Sequence, residues 1–378
     1  MVILQILGIH PIKLGGFEDY ILNFAKTTKE RGYRTVFVFE GEPHEYIKMK
    51  LNQYDCPYCI HETRKGIYAF IRFLGFLTQI IRKYRPSIIQ GQFHPQSHFA
   101  TIAGLLTRTP AFITIHSTSS QNSKPVGISN IVKANVSSIL SRKVIAVSYA
   151  VMKDLIVNLH TSPKNIIVLH NGVNLEKYNP MENDFSLHRE IGISNTSKIV
   201  LTVAAARPEK GLEYLIRAIP DITSINTDTH FVFCGGGPLE NELINLASTL
   251  GVREHVHFLG VRDDVPDLLN CAYILVLPSL AEPFGLAVVE AMAMTKAVIA
   301  TNVDGIPEMV QDGITGILVN PGNSNDLSAS VNHLLKNEEK TRLMGIEGRM
   351  RAELDFNLDN RVLKEIQLYE NYTNKCKV

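Results

Sequence analysis

The chain opens with a nearly uninterrupted apolar run, residues 1–9, broken only by Gln5 and Gly8. Such a run is typical of a strand that is buried on both faces of a parallel sheet. A glycine pair follows it, then a stretch of helical periodicity at 17–29 and a second apolar run at 35–39. The pattern predicts that the chain begins with a β-α-β unit.

The same alternation of short apolar runs and helical stretches continues through the first half of the chain. It pauses at a polar segment, 174–197, and then starts again. Further strands are predicted at 87–89, 111–115, 144–147, 166–169, 199–204, 230–234, 256–258, 274–277, 297–300 and 316–319, with helices that include 239–249, 283–294 and 362–374. This order predicts an α/β fold with two doubly wound parallel sheets, that is, two Rossmann-like modules in tandem.

The length of 378 residues also favours two domains. We expect a first domain over residues 1–175 and a second over 176–361. The last helix, about 362–378, would be free to pack back on the first domain. No internal repeat and no low-complexity segment interrupts this organisation.

Composition narrows the class of protein further. Apolar residues make up 45% of the chain and charged residues 20%, as in soluble globular proteins. No apolar run reaches the length of about 20 residues that a membrane span needs, and no signal peptide is recognisable. Five cysteines, an odd number, favour a reducing compartment. We therefore expect a cytoplasmic protein.

A net charge of +1 conceals a strong asymmetry between the two halves. Residues 1–175 contain 20 Lys and Arg but 9 Asp and Glu, and the remainder contains 18 and 28. Between Glu62 and Asp154 there are twelve basic residues and no acidic one. This stretch is either a solvated basic face or a surface that meets something anionic, such as lipid headgroups.

One stretch within that basic half, residues 66–81, is apolar almost all round and has Arg72 as its single charge. Basic clusters flank it at 64–65 and 82–85. Sixteen residues are too few to span a bilayer. The stretch is either a buried helix of the first domain or a helix whose face contacts anionic lipid.

Three glycine-rich turns follow predicted strands and open helices: Gly15-Gly16, 235–238 and 304–307. Backbone N–H groups at a helix N-terminus bind phosphate well, because the helix dipole favours negative charge there. None of the turns is the complete dinucleotide fingerprint, and the chain has no Walker-type loop. Three such turns on two modules indicate a diphosphate ligand.

Two carboxylates frame the strongest local motif. Glu282 lies in the loop after the strand 274–277, at the edge of the sheet where ligands bind in this class of fold. Glu290 is predicted to lie within the apolar helix 283–294 that follows. Eight helical residues span about 12 Å, so the two carboxylates are too far apart to share one proton. They are better placed to hold different parts of one long ligand.

Motifs along nearly the whole chain resemble those of the retaining glycosyltransferases of family 4, glycosyl transferases group 1. The Glu-x7-Glu motif from Glu282 to Glu290 matches in full, including its Glu-Pro-Phe-Gly opening. The other matches, in the family's order, are Gly15-Gly16 with Glu18, 146–148, 170–174, 207–211, 235–238 and 302–308. The resemblance implies the GT-B fold, in which two facing Rossmann-like domains enclose an interdomain cleft.

The resemblance also implies roles for individual residues. Lys210, assisted by Arg207, would stabilise the leaving diphosphate, and Glu282 would hold hydroxyls of the donor sugar. His116, at the end of the strand 111–115, would lie beside that sugar. Glu290 would accept hydrogen bonds from the ribose. The complete set of implied donor-binding residues is Gly15, Gly16, Arg207, Lys210, Gly236, Arg262, Glu282, Phe284, Gly285, Leu286 and Glu290.

This sequence departs from the family's pattern at two positions. Ser117 follows His116 where many members have an aspartate, and Ala205 stands where many members have an arginine five residues before the lysine. Arg207 lies three residues before Lys210 instead.

The resemblance implies a retaining, front-face transfer from a nucleotide-diphosphate sugar, in which the leaving diphosphate takes the acceptor's proton. No matched carboxylate is placed to act as a nucleophile, and no Asp-x-Asp motif indicates a metal, so we expect neither a metal nor a cofactor. The acceptor would be a glycan or a lipid-linked saccharide of a cell-surface polysaccharide or glycolipid. The enzyme would then dock peripherally on an anionic inner membrane face, and no nucleic acid is expected as a partner.

Two other functions are open at this level. The chain could be a non-catalytic nucleotide-sugar-binding protein of the same fold, because fold alone does not guarantee activity. It could also be a thiol redox protein, because Cys56-Pro57-Tyr58-Cys59 resembles the cysteine pair of glutaredoxins. The polar surroundings of this pair, and the lack of a second such motif, weigh against redox chemistry and against a zinc site.

Overall fold

The computed structural model describes residues 1–9, 11, 15–62, 66–93, 95–119, 127–180 and 185–375. It divides the chain into two compact units. Unit 1 comprises Met1–Gly172 and Leu358–Val378, and unit 2 comprises Val173–Asn357. The boundary after 172 lies three residues before the expected one, and the last helix joins unit 1 from residue 358 instead of about 362.

Unit 1 is built on a seven-stranded parallel sheet with the strand order β3-β2-β1-β4-β5-β6-β7. The strands are β1 (Val2–Leu7), β2 (Arg34–Phe39), β3 (Tyr58–Ile60), β4 (Ile88–Gln92), β5 (Ala111–Ile115), β6 (Lys143–Ala146) and β7 (Ile166–Val168). Its central strands are buried on both faces, as continuous apolar runs predict.

Helices cover both faces of this sheet: α1 (Gly16–Glu30), α2 (Glu45–Gln53), α3 (Ile67–Tyr84), α4 (Gln96–Thr107), α5 (Ile128–Leu140), α6 (Tyr149–Val157) and α15 (Leu358–Lys375). One apolar core joins α1, α2 and α15 to strand residues such as Ile3 and Phe37. A second core joins α3 and α4 to Leu4 and Val36 on the other face. Alternate residues of β1 and β2 therefore serve two cores.

Unit 2 has a six-stranded parallel sheet with the order β10-β9-β8-β11-β12-β13. The strands are β8 (Lys198–Val203), β9 (Thr229–Cys234), β10 (Val256–Gly260), β11 (Ile274–Leu277), β12 (Ala297–Thr301) and β13 (Gly316–Val319). In both sheets the order reverses direction beside the first strand, β1 or β8, which is the doubly wound topology that the alternation predicts.

The helices of unit 2 are α7 (Leu187–Ile191), α8 (Leu212–Thr223), α9 (Glu240–Thr249), α10 (Val265–Cys271), α11 (Leu286–Ala293), α12 (Ile306–Met309), α13 (Ser324–Lys336) and α14 (Glu338–Asp355). Side chains of α8, α9 and α13 pack with the strands into one large apolar core. This rigid core holds the loops at the carboxyl edge of the sheet.

Two sequence predictions about local structure were wrong. β3 (Tyr58–Ile60) contains Cys59, whose polar surroundings did not predict a strand; at three residues, it is too short for its alternation to be visible. The helix predicted at 283–294 begins at Leu286, because Gly285 adopts a positive φ of 90° and ends the preceding loop. Half of the interval from Glu282 to Glu290 is therefore not helical, and the 12 Å helical spacing does not apply.

The apolar stretch at 66–81 forms most of α3. Its residues Phe73, Leu77 and Ile80 are buried in a core of unit 1, whereas Tyr68 and Ile71 near its start are exposed. The stretch is therefore mainly a core helix. The flanking pair at 64–65 lies outside the described residues. Among the helices that the structure describes, none has the length and apolar character to cross a membrane.

Candidate active site

The loop that follows β11 carries the first group of candidate residues in unit 2. β11 is completely apolar and buried, so the chain becomes polar as soon as it leaves the sheet. Ser279 and Glu282 lie in this loop and are both buried, at 0% and 9% exposure. They occupy the carboxyl edge of a parallel sheet, where the ends of neighbouring strands bring distant residues together.

Glu282 forms an ion pair with Lys210. The lysine Nζ lies 2.6 Å from the glutamate Oε2, and the two side chains are 19% and 12% exposed. The Ser279 hydroxyl donates to the same oxygen over 3.3 Å. An ammonium group has three protons to donate, so this contact leaves Lys210 with donors for a second anionic group. The structure therefore brings together two predicted catalytic residues that are 72 positions apart.

Backbone contacts explain how this pair is held. Lys210 ends a short 3-10 turn, Pro208–Lys210, after β8. The carbonyl of Glu209 in this turn accepts hydrogen bonds from the N–H groups of Leu280 and Ala281. Gly211 has a positive φ of 58°, and a side chain there would lie 2.4 Å from the Pro278 carbonyl oxygen. The glycine therefore permits the close approach of the two loops.

The loop after β12 secures Glu282 from a second direction. The Glu282 N–H donates to Asp304 Oδ2 over 2.9 Å, and the Glu282 carbonyl accepts from the Gly305 N–H over 3.1 Å. A Cβ on Gly305 would lie 2.3 Å from the Pro283 carbonyl oxygen. The glycine-rich turn at 304–307 thus positions the Glu282 loop. The helix that follows this turn, α12, has four residues.

The three glycines of the turn at 235–238 differ in how much space a side chain would have. A Cβ on Gly235 or Gly237 would lie 2.3 or 2.4 Å from a backbone carbonyl oxygen, whereas the nearest atom to a Cβ on Gly236 is 3.5 Å away. Packing against the segment after β8 therefore requires the outer two glycines. Gly236, the predicted donor-binding residue, is the one of the three that packing does not explain.

Glu290 lies in α11 at 6% exposure, among the buried apolar residues of that helix. Phe284 is also buried and packs its ring against Phe356, with centroids 5.9 Å apart. Leu286 is the first residue of α11 and is half-buried. The ring contact joins the loop just before α11 to Phe356, the residue that follows α14.

The two predicted arginines differ from each other. Arg207 is exposed, and it forms no salt bridge with any residue in the described ranges. Arg262 directs its guanidinium to two carboxylates: Nη1 lies 2.6 Å from Glu190 Oε1, and Nη2 lies 2.6 Å from Asp264 Oδ2. The hydrogen bonds that the guanidinium donates to Asp264 and Glu190 raise the pKa of Arg262 further above its already high value. Both carboxylates that bind the Arg262 side chain therefore belong to unit 2, as Arg262 does.

In unit 1, His116 immediately follows β5. Its ring stacks on Phe93, with centroids 4.2 Å apart, and meets the edge of Phe17 at 5.6 Å. Nε2 lies 2.9 Å from Gln92 Oε1. Burial, and to a smaller extent the charge of Arg361, lowers the pKa of His116 to about 3. The imidazole is therefore neutral at physiological pH, which suits a hydrogen-bonding group better than a cation.

The turn at Gly15-Gly16 leads into α1. The Glu18 carboxylate lies at the start of this helix and accepts a hydrogen bond from the Gly15 N–H over 3.1 Å. The helix N-terminus therefore already has one anionic neighbour, with Gly16 as its first residue. Residues 12–14, just before this turn, lie outside the described residues.

Sequence reasoning missed three polar residues that hold the predicted ones: Ser279, Asp304 and Gln92. Ser279 gave no signal of its own, because short polar residues are common in loops, and Asp304 was noted only as part of the turn at 304–307. Gln92 gave no signal either, because the strand predicted there ends at 89. In the structure it lies with Gln90 in a strand that is buried at every position, and buried polar groups in a central strand require partners.

The Cys56 and Cys59 thiols do not have the properties of a redox pair. Burial raises the pKa of Cys56 to about 11 and also raises that of Cys59, which lies in β3. An attacking thiol needs a lowered pKa. Both cysteines are free. Cys376 lies outside the described residues. No group of three or more His, Cys, Asp or Glu side chains in the described part of the chain is arranged to hold a metal ion.

Comparison with known families covers most of the chain in two parts. Residues 14–177 match the family described as Glycosyltransferase Family 4, and residues 183–351 match the family described as Glycosyl transferases group 1. The first match begins after β1 and extends five residues beyond the unit boundary at 172, and the second covers most of unit 2.

Among similar proteins, the N-acetyl-alpha-D-glucosaminyl L-malate synthase of Bacillus anthracis is 27% identical over 349 residues, which are 89% of this chain and 88% of that protein. The uncharacterized glycosyltransferase MJ1607 of Methanocaldococcus jannaschii is 32% identical over 200 residues. That alignment spans about half of each chain, 52% of this one and 51% of the other.

A solved structure of Anabaena Alr3699/HepE in complex with UDP has a TM-score of 0.83 to this chain, at 23% sequence identity. The match covers 98% of this chain and 100% of the Anabaena chain. At that identity the likeness shows the fold. Together with the two parallel sheets, it confirms the predicted GT-B fold.

Proposed function

The chain belongs to the glycosyl transferases group 1 of the family 4 type, and from that premise we propose that it is a retaining hexosyltransferase that uses a nucleotide-diphosphate sugar. The observation that carries this proposal is the ion pair between Lys210 and Glu282 at the carboxyl edge of the second sheet. It puts a positive charge for a diphosphate and a hydrogen-bond acceptor for sugar hydroxyls side by side.

Lys210 has the central role in the proposed transfer. As the bond from the sugar to the diphosphate breaks, negative charge develops on the leaving oxygen, and a fixed ammonium group stabilises that charge. The acceptor oxygen attacks from the same face, and the departing diphosphate oxygen takes the acceptor's proton. The Glu282 carboxylate accepts from Lys210 and Ser279, so it is better suited to orient the sugar than to attack it.

The donor is proposed to bind on unit 2, with Gly236, Phe284, Gly285 and Leu286 beside it and Glu290 accepting from the ribose. His116 of unit 1 is proposed to accept or donate a hydrogen bond at the sugar. The proposed role of Arg207 is to add positive charge, because its side chain is exposed and without a salt bridge to described residues. We propose that the reaction needs no metal ion, since Lys210 supplies the charge that a metal would supply.

Donor binding can be tested by thermal shift with UDP, GDP, ADP and their common sugar conjugates. UDP comes first because the similar Anabaena protein was solved with it. A ligand at 100 times its dissociation constant adds about 2.7 kcal/mol of stability. We expect one nucleotide to raise the unfolding temperature by several degrees, and Glu290→Ala to lose that shift.

The alternative, a non-catalytic nucleotide-sugar binder, makes the same prediction for binding but not for turnover. Donor consumption in the presence of EDTA, followed by NMR of the anomeric proton of the product, separates the two. Product with the donor's own anomeric configuration supports the retaining, metal-independent enzyme. Binding without turnover on any acceptor, including lipid-linked saccharides, supports the alternative.

On the acceptor side we propose a glycan or lipid-linked saccharide, with unit 1 docked on the anionic inner face of a membrane. α5 supports this proposal, because Ser137 and Ser138 are buried while its large apolar residues are exposed. The exposed apolar residues, between 46% and 79%, are Ile128, Val132, Val136 and Ile139. Helices of soluble domains normally bury their apolar side. No acidic residue occurs from 63 to 153, so the charge of the sequence stretch that contains this helix is complementary to anionic lipid.

Flotation with phosphatidylglycerol-containing vesicles and with neutral phosphatidylcholine vesicles tests this docking. We expect binding to the anionic vesicles alone, weakened by the double variant Val132→Ser with Ile139→Ser. The control is Ile225→Ser, which changes an equally exposed apolar residue in the acidic half of the chain. Equal, negligible flotation with both vesicles would remove the membrane from the proposal.

A further inference from the structure

A chain of hydrogen bonds leads from His116 into the interior of unit 1 and ends on the C-terminal helix. Gln92 accepts from His116 through Oε1, over 2.9 Å, and donates through Nε2 to the Tyr20 hydroxyl, over 3.0 Å. The Tyr20 hydroxyl in turn donates to Glu365 Oε2 in α15, over 3.1 Å. The four residues come from β4, the end of β5, α1 and α15, and 345 positions separate Tyr20 from Glu365.

Glu365 is the carboxylate at which this series of hydrogen bonds ends, and it serves as its anchor. It is completely buried, and Arg361 Nη1 lies 2.5 Å from its Oε2, one helical turn away. Tyr369, also completely buried, donates its hydroxyl to Glu365 Oε1. A buried carboxylate needs a counter-ion and hydrogen-bond donors, and Arg361 and the two phenols supply them. Burial and the nearby Glu365 carboxylate raise the pKa of both tyrosines well above the usual value, so both remain protonated donors.

The direction of every bond follows from this anchor. A carboxylate only accepts, so the single proton of the Tyr20 hydroxyl points to Glu365. The Tyr20 oxygen must then accept from its other partners, among them the Gln92 amide NH2. Gln92 is thereby oriented with Oε1 toward His116. Because an amide oxygen is purely an acceptor, His116 must carry its proton on Nε2, and Nδ1 keeps its lone pair.

We propose that α15 positions His116: Glu365, acting through Tyr20 and Gln92, fixes the orientation of the imidazole and its Nε2–H tautomer. The three residues are positioning residues, and the C-terminal helix becomes a functional part of unit 1 in addition to completing its core. The catalytic consequence rests on the proposed function, in which His116 meets the donor sugar. The tautomer itself does not, and it can be observed without any substrate.

Two tyrosine variants provide a matched test. Tyr20→Phe and Tyr369→Phe remove the same atom from two buried rings, and both hydroxyls bind Glu365. Of the two, Tyr20 contacts Gln92, whereas Tyr369 contacts Gln90 over 2.8 Å. A structural loss at Glu365 affects both variants, whereas a loss of His116 positioning affects Tyr20→Phe. Gln92→Leu removes the hydrogen bond between Gln92 and His116, so it is the reference for an imidazole that this bond no longer orients.

The tautomer is read from histidine side-chain ¹⁵N spectra of the full chain, with the His116 signal assigned by its absence in His116→Asn. We expect the Nε2–H tautomer in the wild type and in Tyr369→Phe, and a mixture of tautomers in Tyr20→Phe and Gln92→Leu. Once a donor and acceptor are identified, kcat should fall about fivefold in Tyr20→Phe, with the donor KM little changed.

Three results would overturn the proposal. The wild type could show the Nδ1–H tautomer, Tyr20→Phe and Tyr369→Phe could give the same spectrum, or Gln92→Leu alone could change it. The last would end the chain at Gln92 and leave α15 without this role. Absence of turnover in the wild type would contradict the proposed function, and the spectra would still decide on the positioning.

Discussion

The candidate residues of the two units are held in opposite ways. In unit 2, Lys210 and Glu282 are charged, and backbone hydrogen bonds between three loops hold them at the sheet edge. In unit 1, His116 is neutral, and a buried network of side chains holds it. This comparison indicates what each kind of side chain has to have fixed in order to act. A charge that is proposed to bind a diphosphate needs a fixed position, whereas an imidazole that is proposed to hydrogen-bond a sugar also needs a fixed tautomer.

The largest effect is expected where the charge is removed from unit 2. Lys210→Ala should lower kcat by about 10²- to 10³-fold, because the developing charge on the leaving group loses its stabilising cation. The matched control is Lys198→Ala. Lys198 also pairs with a glutamate, Glu338, over 2.8 Å, but that partner is largely exposed. Steady-state transfer rates measure both variants, and a similar loss in the two would show that Lys210 matters only for folding.

The loops that hold this pair are tested by Gly305→Ala. The new Cβ would lie 2.3 Å from the Pro283 carbonyl oxygen, and a backbone atom moves only at a cost. We expect about 1–3 kcal/mol of destabilisation together with weaker donor binding. Gly75→Ala is the contrasting control, because its Cβ would meet no atom within 4 Å in the middle of α3. That variant should gain about 0.5–1 kcal/mol, and thermal unfolding compares the two.

The sequence predicted the strands beside these contacts but not the contacts themselves. Apolar runs predicted β5, β11 and β13 at their observed positions, because a strand buried on both faces leaves a continuous apolar record. The Glu-x7-Glu motif identified Glu282. Neither pattern could predict that Lys210 pairs with it, because the pairing depends on two glycines that let three loops approach one another. Hydrophobic periodicity contains no information about such approaches.

The buried network of unit 1 was hidden for a different reason. Tyr20 and Tyr369 lie on the apolar faces of their helices, where a tyrosine is indistinguishable from any other large core residue. Glu365 lies within a helix of otherwise mixed polarity, so its sequence neighbours gave no sign of complete burial. The two glutamines of β4 were hidden as well, because the strand predicted there, 87–89, ends before both of them, and their burial is seen in the structure alone.

The neutral state of His116 leads to a pH prediction for unit 1. Its folded pKa, about 3, lies below the value of about 6.5 expected in an unfolded chain. Between these values the unfolded state binds more protons, so the stability that His116 contributes is complete above pH 6.5 and is lost as the pH falls toward 3. His116→Gln should therefore flatten the dependence of stability on pH between 6.5 and 4.

Chemical denaturation at half-unit pH intervals measures this dependence. The control is His333→Gln, which replaces an exposed histidine in unit 2 and should leave the dependence unchanged. The transfer rate of the wild type should have no acid limb from His116 between pH 5 and 8. An unchanged slope in His116→Gln would mean that the imidazole titrates normally, and the contrast between the charged candidate residues of unit 2 and a neutral His116 in unit 1 would fail.

The smallest effect is expected at Arg262. The resemblance implies that backbone groups around Arg262 contribute to binding the base of the donor, and the guanidinium is engaged by Glu190 and Asp264. If these contacts persist with the donor bound, Arg262→Ala should cost about 0.5–1 kcal/mol of stability and change donor affinity less than twofold. Thermal unfolding and nucleotide titration measure both quantities. A tenfold loss of affinity would mean that Arg262 leaves its carboxylates for the donor, so that unit 2 rearranges its side chains to bind.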